Sequence, residues 1–383
     1  LAYPMGGMGA GMICLEGAGA LSHVSLRGQP DVHAEPLMFA ALSIRGGSAR
    51  VLEGPVPRWK IYGPREAGNG LPGTDYGLPR FERATFQDRF PFGKVTLSDM
   101  QMPVAVEITG WSPFVPGDAD SSSLPVAALE YRFISTHDQP LDAVFSFHAR
   151  NFMASPDPTR PVHPESAVMT AAGGFTLWQP GSEEQPWDQG AFSAVVDDPE
   201  TRVNCAWFRG GWFDALTMVW KSIEEGAVVE GVPLTEGDPS PGGSLYVPLH
   251  LEPGESKTLV LRLAWHVPQT NLRLGKDQED APACCACSGT HTPWYAGVFP
   301  NIEAANSYWR THYADLRERT QAFTNSFYDT TLPAEVVEAI AANLTILKSP
   351  TVQRQTDGRL WLWEGCCDTR GCCHGSCTHV WNY

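Results

Sequence analysis

Short runs in which apolar side chains recur at every second position fill the sequence from residue 1 to about residue 267, and glycine and proline separate them. Residues 141–147 form one such run. The runs 247–251 and 259–265 flank the sequence Glu-Pro-Gly-Glu, which is typical of a turn. Many short strands at spacings of roughly ten residues predict a large antiparallel β-sandwich.

The pattern changes after about Pro300. Over residues 301–327 apolar positions recur at steps of three, four or seven, which predicts a long amphipathic helix. A second helix is predicted after Pro333, with an end at Ser349-Pro350. The sequence therefore predicts a sandwich over 1–300, a connector helix over 301–330 and the start of an all-α domain over 331–383. The apolar positions of the second helix are Val336, Val337, Ile340, Leu344 and Leu347.

The charge balance excludes several classes of partner. Lys and Arg number 27 against 43 Asp and Glu, which gives a formal net charge of −16. Such a chain repels the phosphates of nucleic acids and anionic lipid headgroups, so we expect no nucleic-acid partner. Since no run of about 18 apolar residues is present, we also expect no transmembrane segment. The sequence does not indicate a compartment.

Two loops carry residues that resemble ligand-binding motifs. Gly6, Gly7, Gly9 and Gly11 imitate a phosphate-binding loop, but a dinucleotide site needs a helix after the glycines, and residues 12–15 indicate a strand. Close backbone packing is the favoured interpretation. Asp118 and Asp120 lie in a serine-rich loop that could bind a cation or a sugar hydroxyl. Because Asp and Ser also close turns through their own side chains, we again favour a structural role.

Eight of the ten cysteines fall into two clusters. The second cluster contains enough ligands for zinc, although its spacing does not match paired C-x2-C knuckles. A thiolate nucleophile activated by a neighbouring histidine is an alternative, and so are small buried side chains without chemistry. The clustered cysteines are Cys284, Cys285, Cys287, Cys366, Cys367, Cys372, Cys373 and Cys377.

Glu364 directly follows an aromatic, apolar run over residues 360–363. Apolar surroundings raise the pKa of a carboxyl group, and the faces of Trp rings are platforms on which sugars stack. Most glutamates are nevertheless solvated. Residue types alone therefore do not favour a functional role for Glu364.

Several short motifs spread along the chain together indicate a family. They are Pro4-Met-Gly-Gly-Met-Gly-Ala-Gly-Met, Gly110-Trp-Ser-Pro-Phe-Val-Pro-Gly-Asp, Ser122-Ser-Leu-Pro-Val126, Phe145-Ser-Phe-His-Ala-Arg-Asn151, Leu251-Glu-Pro-Gly-Glu255, Ala264-Trp-His266, Leu332-Pro333 and Trp363-Glu364-Gly365. In this order and spacing they resemble glycoside hydrolase family 116, the family of the non-lysosomal glucosylceramidase, also called bile-acid β-glucosidase. The resemblance covers nearly the whole chain and suggests a variant of bacterial type.

The resemblance implies an N-terminal β-sandwich joined to a C-terminal (α/α)6 barrel, and it implies no cofactor. A barrel of six helix pairs needs upwards of roughly 160–200 residues. Only 53 residues run from Thr331 to Tyr383. We therefore expect this sequence to be a fragment that contains the beginning of a truncated barrel.

Family members resemble retaining β-glycosidases, in which a nucleophile and an acid lie ~5–5.5 Å apart. Glu364 matches the nucleophile. The acid/base partner is an aspartate far downstream, to which no residue here corresponds, so we expect this segment alone not to hydrolyse ordinary glycosides. The expected substrate is a β-glucoside, a β-xyloside or a glycolipid.

Asp368, Thr378 and His379 are the predicted substrate-binding residues. His379 stands where the family has an acidic ligand for sugar hydroxyls, and an imidazole cannot offer two carboxylate oxygens to adjacent hydroxyls. This departure leaves specificity for glucose open.

Two alternatives stay open. In one, Glu364 and the cysteine cluster bind zinc and a thiolate attacks the sugar, as in cysteine-dependent arabinofuranosidases. In the other, the sandwich is a non-catalytic module that binds carbohydrate or only packs, although the aromatic residues in alternating runs suggest burial first.

Overall fold

The computed structural model of the protein describes residues 1–28, 30–31, 34–62, 74–154, 162–271 and 290–363. The strands are β1 Ala2–Met5, β2 Met12–Glu16, β3 Leu21–Ser25, β4 Met38–Ile44, β5 Ala49–Val51, β6 Arg83–Arg89, β7 Phe92–Ser98, β8 Val104–Trp111, β9 Val126–Ser135, β10 Leu141–Arg150, β11 Ala167–Ala171, β12 Gly174–Gln179, β13 Gly190–Val196, β14 Arg202–Asn204, β15 Gly242–Leu251, β16 Ser256–His266, β17 Val352–Arg354 and β18 Leu360–Leu362. The α-helices are α1 Arg58–Tyr62, α2 Ala215–Glu224, α3 Trp294–Val298, α4 Ile302–Tyr328 and α5 Ala334–Leu344.

Two antiparallel sheets form the main body. Eight strands follow the order β11-β12-β13-β16-β9-β8-β7-β6, and five follow the order β14-β15-β10-β4-β5. Apolar side chains of both sheets share one core. In it the ring centroids of Phe133 and Phe145 lie 5.8 Å apart, and those of Phe147 and Phe175 lie 6.3 Å apart. The predicted antiparallel β-sandwich is confirmed, and β1, β2 and β3 add a small third sheet.

The predicted turn after residue 251 joins the two large sheets. β15 pairs with β10 and β14, whereas β16 pairs with β13 and β9. The two runs are strands, as predicted. They do not form a hairpin, because each strand finds its partners elsewhere in the chain.

Helix α4 lies on the outer side of the eight-stranded sheet. Asn301 caps it by accepting a hydrogen bond from the Ala304 amide at 2.9 Å. Seven positions carry the predicted helical spacing over residues 301–327; five of them are buried, and the other two, Phe323 and Phe327, are half-buried. The predicted helix is therefore confirmed. The buried five are Ile302, Ala305, Trp309, Leu316 and Thr320.

Aromatic packing and one carboxylate hold α4 on the sheet. The rings of Trp111 and Trp309 lie 5.4 Å apart. Glu130 accepts hydrogen bonds from the Trp111 indole at 3.0 Å and the Tyr313 hydroxyl at 2.7 Å. It also pairs with Arg317 at 2.5 and 2.9 Å. These contacts fix the direction in which the chain leaves the sandwich.

Helix α5 follows α4, and a 3-10 turn over Thr345–Lys348 extends it toward Ser349. The helix is predicted correctly, but the predicted face is only partly buried. Val337 packs inside together with Ala341, whereas Val336 and Ile340 are exposed. The strands β17 and β18 then form a two-stranded hairpin. The (α/α)6 barrel and the domain boundaries stay predictions.

Candidate functional site

The predicted catalytic and substrate-binding residues lie outside the described residues. This holds for Glu364, Asp368, Thr378 and His379, and for both cysteine clusters. The described chain reaches Trp363, directly before Glu364. The described part of the chain nearest to Glu364 in sequence is the segment 345–363. It rests on loops of the sandwich.

The β17–β18 hairpin sets the direction of the chain before Glu364. Since side chains alternate along a strand, Trp361 and Trp363 share one face of β18 and its extension. Trp363 is 1% exposed, and its amide donates to the Thr351 carbonyl at 3.2 Å. Within the described part of the chain, the indole nitrogens of both Trp residues are buried and have no hydrogen-bond partner. Two unused donors thus lie in the segment that leads to Glu364 in sequence.

Arg354 joins the hairpin to the sandwich. Its guanidinium donates to Asp120 at 2.6 Å and to the Ala119 carbonyl at 3.2 Å, and it lies 4.1 Å from the centre of the Trp294 ring. Asp120 was predicted to serve structure, and this ion pair supports that role. The arginine fixes the hairpin ten residues before Glu364.

The glycine-rich loop between β1 and β2 packs against the same segment. A Cβ atom on Gly7 would lie 2.4 Å from the Leu124 carbonyl oxygen, and one on Gly9 would lie 2.4 Å from the Arg354 nitrogen. Gly9 also has a φ of +71°, which glycine adopts most readily. Strands lie on both sides of the loop. Close backbone packing is therefore confirmed, and the phosphate-loop alternative is wrong.

Residues 345–363 and the sandwich loops that they contact form a region that we call the junction. Lys348 is its most unusual charged group. Its ammonium nitrogen, Nζ, donates to the carbonyls of Gly6, Ser112 and Pro113 at 3.0, 3.3 and 3.2 Å, and to the Ser112 hydroxyl at 2.6 Å. All four acceptors are uncharged. Burial lowers the pKa of Lys348 from its usual 10.5 to about 7. The sequence analysis missed this residue, because a single lysine in a helical pattern is usually solvated.

The serine-rich loop is closed by Asp118. Its carboxylate accepts hydrogen bonds from the Ser121 amide at 3.0 Å and the Ser121 hydroxyl at 2.7 Å, and it pairs with Arg319 of α4 at 2.5 Å. Partial burial alone would raise the pKa of Asp118, but these hydrogen bonds outweigh it and lower the pKa to about 2. The structural interpretation of Asp118 is confirmed.

A second charged cluster lies beside α1, away from this junction. Lys60 pairs with Glu16 at 2.6 Å and Glu35 at 2.7 Å, and Arg80 pairs with Glu53 at 3.1 Å. The cavity beside them measures about 30 Å³, which is far smaller than ligand pockets of ~300 Å³ or more. Its carboxylates are scattered in sequence, so no motif indicated them. The cluster is a closed set of ion pairs.

The described cysteines do not provide a nucleophile. Cys14 and Cys205 are free and buried, and burial, assisted by Glu16, raises the pKa of Cys14 to about 12. Over the described ranges, no group of three His, Cys, Asp or Glu side chains could hold a metal ion. In the same ranges, no helix has the length and apolar character needed to cross a membrane.

Comparison with known families identifies the class of protein. Residues 2–316 match the family described as beta-glucosidase 2, glycosyl-hydrolase family 116 N-term. This match covers most of the chain and puts it among the glycoside hydrolases. The chain belongs to glycosyl-hydrolase family 116, whose N-terminal region it contains. No curated protein matches the sequence.

Two solved structures are similar to the chain over most of its length. A bacterial glucoamylase in complex with acarbose is 8% identical with a TM-score of 0.43, over 91% of this chain and 40% of that one. The family GH92 α-mannosidase from Bacteroides thetaiotaomicron is 10% identical with a TM-score of 0.37, over 94% of this chain and 41% of that one. The chain thus spans about two fifths of the length of these proteins. At these TM-scores the likeness supports no argument about activity.

Proposed function

We propose that the protein is a retaining β-glycosidase in which Glu364 is the nucleophile. The observation that carries the proposal is membership of family 116 over residues 2–316. The substrate is a β-glucoside, a β-xyloside or a glycolipid with such a sugar. Residues 1–300 are the sandwich, 301–330 the connector helix and 331–383 the beginning of an (α/α)6 catalytic domain.

The chemistry divides into two steps. The Glu364 carboxylate attacks the anomeric carbon, and the electron pair of the glycosidic bond leaves with the aglycone oxygen, which takes a proton from an acid. A water molecule, deprotonated by the same group, then breaks the glycosyl-enzyme ester, so the anomeric configuration is retained. Asp368, Thr378 and His379 hold the sugar hydroxyls, and an aspartate downstream in the family supplies the proton.

The junction supports this assignment through positioning. A nucleophile must be held within a few tenths of an ångström of its productive place, which requires a rigid support. Lys348 and Arg354 attach the segment before Glu364 to the sandwich through six hydrogen bonds. Trp363, which directly precedes Glu364 in sequence, is 1% exposed, so the last described residue of this segment is packed inside the protein.

The proposal is tested with 2,4-dinitrophenyl β-glucoside and β-xyloside, whose leaving groups need no protonation. The protein is expected to release dinitrophenol from at least one of them, and Glu364→Gln to abolish the release. Glu338→Gln, on the exposed side of α5, is the matched control and is expected to retain the activity. Activity that survives in Glu364→Gln would refute the role of Glu364. Loss of activity with chelators or thiol blockers would favour the zinc and cysteine alternative instead.

A further inference from the structure

A groove lies where the outer face of the eight-stranded sheet meets the first half of α4, and its lining residues do not include any of the segment 345–363. Its main cavity measures about 390 Å³, within the range of ~300–1,000 Å³ that small-molecule sites occupy. A second cavity of about 100 Å³ adjoins it at Met169 and Glu303. The groove is therefore large enough for a small ligand.

Strand register defines the floor of the groove. Trp178 lies opposite Ala191, which lies opposite His266, and four residues along β16 Val195 lies opposite Arg262. Residues directly opposite each other point to the same face of a sheet. One end of the floor thus carries an aromatic ring and the other a guanidinium, about 13 Å apart along β16 at ~3.3 Å per residue.

Arg262 uses only part of its hydrogen-bonding capacity. Its Nη1 atom donates to Asp197, which also pairs with Arg310 of α4 at 3.2 Å. The Nε and Nη2 atoms are buried and have no hydrogen-bond partner within the described residues. These two N–H groups lie on one edge of the guanidinium and form the fork that binds paired oxygens. Leaving such a buried fork unpaired is costly.

An unused acceptor lines the same cavity. The Oδ1 atom of Asn306, on α4, is buried and likewise has no partner in the described part of the chain. Arg262 and Asn306 therefore both line the cavity, and their unused donors and acceptor do not bond to each other. A hydroxyl group both accepts and donates, so a molecule with several hydroxyls satisfies both sides.

From this arrangement we propose that the groove is a second, non-catalytic binding site for a sugar of one or two rings. Arg262 donates to ring hydroxyls, Asn306 accepts from one, and Trp178 offers an apolar face to a ring. The charges of the groove favour a neutral ligand over an oxyanion: Arg262 and Arg310 are balanced by Asp197 and Glu303, and the chain as a whole carries −16.

The test is calorimetric titration of the whole chain with cellobiose, with maltose and with inorganic phosphate. At least one disaccharide is expected to bind, and phosphate is not. Arg262→Lys keeps the charge beside Asp197 but loses the fork, and should weaken binding about tenfold or more. Asn306→Leu replaces the acceptor by an apolar side chain of similar size on α4, without altering the sheet, and should have the same effect.

Two controls separate this site from the catalytic one. Arg132→Lys alters an exposed arginine of the same sheet, and Glu364→Gln alters the proposed nucleophile, so both are expected to bind the sugar as the parent does. The proposal is overturned if neither disaccharide binds, which would leave water in the groove, or if phosphate binds in their place. It is also overturned if Glu364→Gln loses the binding while Arg262→Lys keeps it. None of these outcomes bears on the hydrolysis assay, which reports on Glu364 alone.

Discussion

Replacing Lys348 by Met tests how the segment before Glu364 is attached to the sandwich. The parent side chain is fully buried among four uncharged oxygens of Gly6, Ser112 and Pro113. Methionine has a similar length, so it fills most of the space, but it donates no hydrogen bond. The Ser112 and Pro113 carbonyls then lose this donor, at roughly 1–3 kcal/mol each.

The loss of stability in Lys348→Met depends on pH, and the direction of this dependence follows from the pKa shift. The folded pKa of about 7 lies below the usual 10.5, so between these values the unfolded chain holds the proton and the native chain does not. Stability therefore rises with pH in this window, by up to about 1.4 kcal/mol per unit, and the contribution is flat below the folded pKa. Lys348→Met lacks this rise. From about pH 7.5 to about pH 9.5 the variant should fall behind the parent by about a further 2–3 kcal/mol.

The assay is urea unfolding followed by tryptophan fluorescence, with the free energy of unfolding extrapolated to water at each pH. Lys94→Met is the matched control, since that side chain is 40% exposed on the same protein. Its difference from the parent should not widen with pH in this way. If the difference between parent and Lys348→Met stays constant from pH 7.5 to 9.5, the lysine does not titrate in this window and the reasoning from burial is wrong.

Two further substitutions test the packing around the junction. Gly9 and Gly46 have nearly equal φ angles of +71° and +70°, but only at Gly9 would the added carbon lie 2.4 Å from a backbone atom. We therefore expect Gly9→Ala to lower the free energy of unfolding in urea by about 1–3 kcal/mol more than Gly46→Ala does. Equal losses would contradict the close approach. Glu130→Ala removes the acceptor shared by Trp111, Tyr313 and Arg317, and should cost about 2–4 kcal/mol once the half-exposed arginine is discounted. Thermal unfolding of Glu130→Ala checks this, and a melting temperature equal to that of the parent would show that the carboxylate does not hold α4.

The spacing of apolar side chains predicted those strands and helices that bury one face. The run over 141–147 and the helix after Pro300 appear as β10 and α4, because in both cases side-chain spacing matches the surface that the element covers. Turn chemistry predicted that the chain reverses after Leu251. It could not predict that β15 and β16 join different sheets, since strand partners are set by contacts far apart in sequence.

The contacts of the junction could not be predicted from short sequence patterns either, because they join residues far apart in sequence. Lys348 contacts Gly6 across 342 positions, and Arg354 contacts Asp120 across 234. No short pattern marks a lysine that will be buried by such contacts. Glu364 could not be assigned a role from residue types alone. Only the resemblance to a family made it a candidate nucleophile.

Labelling with 2,4-dinitrophenyl 2-deoxy-2-fluoro-β-glucoside tests the central claim most directly. Its good leaving group allows attack without an acid, and the fluorine slows the second step, so the glycosyl-enzyme accumulates. The labelled protein is digested and the modified residue located by mass spectrometry. The account predicts a single glycosyl ester on Glu364, absent from Glu364→Gln. A label on a cysteine of the 366–377 cluster, or on any other residue, would contradict it.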